Sequence, residues 1–226
     1  MRVADVFLSV QGEGQFAGTP SVFVRTTGCN LRCWFCDTPY TSWRPEGRQQ
    51  AWQEVRDQIL KWDCPHVVLT GGEPLLQPDV VPLSEALQHQ GLVVTVETAG
   101  TVYRPVAATL MSISPKLSNS VPVNDTRWSP RHHRTQDRPE IVRRLMAEYA
   151  FQLKFVIDTP ADVDEAVGYL KQFPAVEPEQ VWLMPQGVSP DVLAQKETWL
   201  APLAARLGYR YCPRRQIELF GNVRGT

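Results

Sequence analysis

Three observations predict an α/β fold built as a partial parallel (β/α)6 barrel. Short apolar runs recur along the chain, amphipathic helical segments separate them, and each run ends in a polar or glycine-bearing turn. Strands with no polar alternation need cover on both faces, which helices between successive strands supply. The 226 residues suit one domain around a single core, so the expectation is one domain over 1–226.

The first strand is read at 20–27 (PSVFVRTT), running directly into GCNLRCWFCDT. A helix follows over 51–62, where Val55, Ile59 and Trp62 recur at helical intervals, and HVVLTGGEP at 66–74 is an apolar strand closing in glycines. Next come a helix at 80–90 and strands at 92–98 (LVVTVET) and 109–116 (TLMSISPK). A helix at 139–149, the strand FQLKFVI, a helix at 161–172, the strand QVWLMP and a helix at 191–207 complete about six strands. Parallel barrels carry their chemistry at strand C-terminal ends, where the cysteine loop and GGEP both fall. The segment 118–138 is polar, rich in arginine and histidine, and lacks either period; it is expected to be an inserted loop with His132 and His133 exposed.

A formal net charge of -1, with 43% hydrophobic and 21% charged residues, is ordinary, so nothing global points to nucleic acid or membrane. No stretch nears the roughly 20 apolar residues of a membrane span, and MRVADVFLSVQGEG lacks the apolar core and cleavage site of a signal peptide, so the cytoplasm is expected. The five cysteines are odd in number and three crowd together, which favours metal binding over a disulfide framework.

Cys29, Cys33 and Cys36 put three thiolates on one short loop, and the spacing alone leaves zinc and iron both open. Structural zinc normally adds a fourth Cys or His at short spacing; here Cys64, His66 and Cys212 stand at a distance. Three cysteines on a 4Fe-4S cluster leave one iron free for a chelating cofactor or substrate, which makes the iron-sulfur reading the stronger one. A zinc-stabilised binding module without catalysis is the alternative.

The loop Cys33-Trp34-Phe35-Cys36, taken with TGGEP at 70–74, resembles the signature of the radical S-adenosylmethionine (SAM) superfamily. Residues 9–38, together with ETAGT and SPKLS, are similar to 7-carboxy-7-deazaguanine synthases, and LMPQG matches more loosely. That resemblance covers about half the chain. It disfavours a glycyl-radical-enzyme activase, which shares the cysteine loop and GGEP but not QGEG, Arg25 or CDT.

The resemblance implies conversion of 6-carboxy-5,6,7,8-tetrahydropterin to 7-carboxy-7-deazaguanine, with a 4Fe-4S cluster, SAM and Mg2+ as cofactors. It also implies a homodimer and a flavodoxin or ferredoxin type of electron donor. Carried onto this chain, Val10, Gln11, Gly12, Glu13, Arg25 and Thr98 would face the substrate, and Thr38 would help hold Mg2+. Phe35, Asp37, Gly72, Glu73, Gly100, Ser114, Pro115 and Lys116 would face SAM. The residue types suit these roles: glycines admit close backbone approach, a carboxylate suits the SAM ammonium group, and an arginine fork suits a carboxylate. Two positions depart from the family pattern, Met184 where many members have glutamine and Gln216 where relatives often carry histidine. The Arg- and His-rich run at 127–144 could attract an anionic partner by its local field, although a solvated loop is the simpler reading.

Overall fold

A computed structural model describes all 226 residues. The strands are β1 (Arg2–Val10), β2 (Pro20–Thr26), β3 (Arg48–Gln49), β4 (His66–Gly71), β5 (Val93–Thr98), β6 (Leu110–Ile113), β7 (Phe151–Ile157), β8 (Val181–Pro185) and β9 (Arg210–Tyr211). The helices are α1 (Pro39–Ser42), α2 (Trp52–Ile59), α3 (Val80–His89), α4 (Ser129–Gln136), α5 (Pro139–Glu148), α6 (Pro160–Leu170), α7 (Pro190–Arg206) and α8 (Arg215–Phe220). All nine strands join one sheet in the order β3-β1-β2-β4-β5-β6-β7-β8-β9, open at both edges.

The six expected strands are β2 and β4 to β8, each parallel to its neighbour. Their apolar runs bury Val22, Val24, Val67, Leu69, Val94, Val96, Ile113, Leu153, Phe155 and Leu183 in one core. The covering helices turn matching pairs inward: Val55 and Ile59 on α2, Leu83 and Leu87 on α3, Val142 and Leu145 on α5, Ala204 and Leu200 on α7. That spacing is one helical face. A capping box from Thr159 and Asp162 starts α6, the Thr159 N–H donating to Asp162 Oδ2 at 2.7 Å.

Three strands go beyond the sequence reading. β1 runs antiparallel to β2, β3 adds antiparallel to β1, and β9 adds parallel to β8. The β1–β2 hairpin suspends QGEG at the Pro20 end of β2, opposite the Thr26 end that pairs with Gly71, and residues of both QGEG and TGGEP line one cavity.

The expected loop at 118–138 is corrected: it contains a helical turn at Ser118–Ser120 and the helix α4. His132, expected to be exposed, is buried, while His133 is exposed. The Arg32 N–H donates to His132 Nδ1 at 3.0 Å, so the ring proton sits on Nε2 and donates to Ser120 Oγ at 2.8 Å. Burial pulls the His132 pKa down to about 4, keeping the ring neutral. A polar helix with no apolar stripe is thus held by a buried histidine. No helix is long and apolar enough to cross a membrane.

Candidate active site

β2 and β4 pair in parallel with Thr26 beside Gly71, which lays the cysteine loop against TGGEP. The approach is close enough to exclude side chains. Gly71 has φ +128°, and a Cβ there would lie 2.1 Å from the Thr26 carbonyl oxygen; a Cβ on Gly72 would lie 2.2 Å from that of Gly28. Elsewhere the loop is tied by its own polar groups. Arg32 donates to the Cys29 and Leu31 carbonyls at 2.6 and 2.7 Å, the Trp43 indole to the Cys33 carbonyl at 2.9 Å, and Gly28 N–H to the Thr41 carbonyl at 2.7 Å.

Cys29, Cys33 and Cys36 line one cavity of about 230 Å³ and form no disulfide. Burial pushes the Cys29 and Cys33 thiols up to about 12, and that of Cys36 upward. Such thiols ionise only when a cation replaces the proton, as iron does. No three His, Cys, Asp or Glu side chains gather as the ligands of one ion would. A cubane spreads its three thiolates over separate irons, so the trio fits a cluster better than a single zinc.

The opposite wall is charged and buried. Lys154, from the middle of β7, reaches Glu13 Oε2 at 2.5 Å and stands 4.0 Å from Glu97 Oε1. Arg214 donates to Glu13 Oε1 at 3.2 Å and to the Gly187 carbonyl at 2.5 Å, and it pairs with Asp37. Burial alone would raise the Glu13 pKa, but Lys154 and Arg214 outweigh it and hold the carboxyl well below its usual range. Gln11 joins this network, donating to Glu97 Oε1 at 3.1 Å and accepting the Glu13 N–H at 3.2 Å. Gln152 fixes the same loop by accepting the Gln15 N–H at 2.9 Å.

Two lining cations have no carboxylate partner. Arg25 donates to the Tyr40 hydroxyl at 2.5 Å and lies 5.1 Å over the Phe7 ring. Lys116 donates to the Ser114 carbonyl and hydroxyl at 2.6 and 2.7 Å, and burial pulls its pKa down.

Of the residues expected at the site, Val10, Gln11, Gly12, Glu13, Arg25, Phe35, Asp37, Thr38, Gly72, Thr98, Ser114 and Lys116 line the cavity with the cysteines. Glu73, Gly100 and Pro115 do not. The Glu73 carboxylate is consumed inside the protein, accepting from Leu75 N–H, Ala99 N–H and the Thr98 hydroxyl at 2.9–3.1 Å, so it is a brace between strand ends rather than a wall. Asp37 is committed to Arg214. Glu97, Lys154 and Arg214 went unnoticed in the sequence, though a lysine inside the apolar run FQLKFVI was a usable signal, because a buried ammonium requires an anion. Gln216 donates to Glu13 Oε1 at 2.7 Å and sits so close to Gly12 that a Cβ there would lie 1.7 Å from its Oε1. Met184 also lies on the cavity wall.

Comparison with known proteins agrees with this arrangement. Residues 23–117 match the radical SAM superfamily. The chain is 44% identical to the 7-carboxy-7-deazaguanine synthase of Rhodopirellula baltica, over 100% of this chain and 89% of that one. It is 40% identical to the synthase of the same name from Halobacterium salinarum, over 100% and 93%. The crystal structure of QueE from Escherichia coli shares the fold with a TM-score of 0.68 at 22% identity, covering 93% of this chain and 92% of that one. These matches set aside both the activase and the zinc-module alternatives. A cysteine trio beside a charged pocket on an open parallel barrel, and full-length identity above 40% to a named synthase, lead to one conclusion: the chain belongs to the 7-carboxy-7-deazaguanine synthase family of radical SAM enzymes.

Proposed function

We infer that this enzyme converts 6-carboxy-5,6,7,8-tetrahydropterin to 7-carboxy-7-deazaguanine with loss of ammonia, a step of queuosine and 7-deazapurine biosynthesis. The observation that carries the reading is the pair of cations without acidic partners, Arg25 and Lys116, in the cavity that the three cysteines line. Substrate and SAM each bring a carboxylate, and each cation is free to receive one. Cys29, Cys33 and Cys36 would hold a 4Fe-4S cluster, which together with bound SAM would supply the radical chemistry that starts the ring contraction.

The chain's own residues bind and orient. Arg25 takes the substrate carboxylate, and Tyr40 and Phe7 fix the plane of its guanidinium. Glu13, kept ionised by Lys154 and Arg214, lines the cavity with Gln11 and Thr98, where these side chains face the substrate ring. Thr38 offers a hydroxyl to Mg2+ next to the substrate carboxylate, while Asp37 is held by Arg214. Lys116, Ser114, Phe35 and the backbone at Gly72 serve SAM. A homodimer, a cytoplasmic location and a flavodoxin or ferredoxin type of donor, implied by the sequence resemblance, are further terms of this reading.

The test is anaerobic incubation of reconstituted enzyme with reductant, SAM and 6-carboxytetrahydropterin, followed by mass analysis. Both 5′-deoxyadenosine and 7-carboxy-7-deazaguanine are expected, and absence of both rejects the function. In the Arg25→Ala variant, substrate affinity should fall about 10- to 100-fold, the loss expected of a charge-assisted hydrogen bond. Its iron content should stay at the wild-type level.

A further inference from the structure

The cluster loop presents one side chain broadly to solvent: Trp34, between Cys33 and Cys36, is 53% exposed. Its N–H donates to the Ser120 carbonyl at 3.2 Å and its indole to the Asn119 carbonyl at 2.7 Å. Ser120 in turn bonds the buried His132 of α4, so α4 is fastened to the cysteine loop.

The outer face of that helix is basic. Arg127, Arg131, Arg134 and Arg138 are exposed, and none has a carboxylate within ion-pair distance, unlike Arg56, Arg144 and Arg224. Arg32, Arg127 and Arg131 stack on the single ring of Trp128 at 4.0, 5.7 and 5.4 Å, which holds several guanidinium groups together. Asp125, whose Oδ1 accepts the N–H groups of Arg127 and Trp128, and the exposed Asp137 offset two of these four charges and leave the segment net positive. In a chain of net charge -1 this is a local excess of positive charge, placed beside the exposed edge of the cluster loop.

We propose that α4 and Trp34 form the docking face for an acidic one-electron carrier protein; the proposal rests on the radical SAM reading above. The cluster must receive its electron from outside, and the loop meets solvent at Trp34. A cationic patch there speeds the encounter with an anionic carrier and orients it. Arginine and tryptophan are the side chains that most often anchor protein interfaces. In the encounter the carrier loses one electron and the cluster passes from its 2+ to its 1+ state, with no bond made or broken.

The experiment uses reconstituted enzyme and two reductants, an acidic flavodoxin and dithionite. Binding of oxidised flavodoxin is measured by calorimetry at rising salt, and 5′-deoxyadenosine formation is followed with each reductant. For Arg127→Glu/Arg131→Glu/Arg134→Glu, flavodoxin affinity and flavodoxin-driven rate should each fall about 10-fold or more. Iron content and dithionite-driven rate should stay within about twofold of wild type, as should all readouts for Arg206→Glu on α7. Arg134→Glu alone, at a side chain without stacking contacts, should give a smaller loss in the same direction and covers the case in which the triple variant misfolds. Unchanged affinity in the reversed variants, or a wild type that binds no flavodoxin, overturns the proposal. So does a wild type that retains tRNA through these arginines while flavodoxin binding ignores them. Failure of the wild type with dithionite as well would instead sink the function itself.

Discussion

Replacing Lys154 by methionine removes the ammonium of a buried pair and leaves the stem's volume in place. The side chain is 6% exposed, with Glu13 at 2.5 Å and Glu97 at 4.0 Å. Unit charges about 4 Å apart attract by about 4 kcal/mol at an effective dielectric constant near 20, and desolvation of both ions offsets part of that. Breaking such a pair typically costs about 3–5 kcal/mol, because the surviving charge is stranded. Arg214 at 3.2 Å and Gln216 at 2.7 Å remain on Glu13 Oε1, which places the expected loss at the lower end, about 3 kcal/mol. Adding Glu13→Gln removes the stranded charge, so the double variant should recover part of the loss, with a coupling of about 2 kcal/mol. Urea unfolding of the cluster-free wild type, both single variants and the double closes the cycle. Additivity to within about 0.5 kcal/mol, or a Lys154→Met cost below about 1 kcal/mol, would refute the idea that this ammonium is desolvated and held by Glu13.

Glycine 72 offers a way to disturb the cluster without touching a cysteine: in Gly72→Ala the new Cβ meets the Gly28 and Thr41 carbonyl oxygens at 2.2 and 2.9 Å, so iron per chain after anaerobic reconstitution should fall. Gly168→Ala, in open space on α6, should keep its iron and gain about 0.5–1 kcal/mol in urea unfolding. Acid stability follows from Glu13, whose folded-state carboxyl lies below its usual 4.5. Between the two values the unfolded chain binds more protons, so this contribution is complete above pH 4.5 and fades as pH drops through the folded value. The Glu13→Gln variant should lose that acid limb, seen as a flatter dependence of the urea midpoint on pH below 4.5.

The six central strands were legible because each carries a short, predominantly apolar run that is covered on both faces. β1 was not, since its residues are mostly half-exposed and its sequence RVADVFLSV gives neither a continuous run nor a clean alternation. β3 and β9, of two residues each, are too short to leave any period. Helix α4 escaped for a different reason: SPRHHRTQ turns His132 and Gln136 inward, so its buried face is polar and mimics a loop. In the site, the cysteines and TGGEP announced themselves because their chemistry is local and closely spaced. The Glu13–Lys154–Arg214 network joins residues from opposite ends of the chain, and only the fold could bring them together. Glu73 sits at the strand end its motif marks, and its carboxylate accepts from Thr98 and the Ala99 N–H.

The parallel pairing of Val22–Thr26 with Val67–Gly71 has a consequence for how such a sequence can vary. Cysteine loop and glycine turn are phase-locked by one ladder, so a slip of a single residue would swing alternate side chains to the other face and dislodge both at once. Length changes in the intervening segment leave that phase alone. An insertion inside either strand would disarm the two signatures together, and neither could then be repaired without the other.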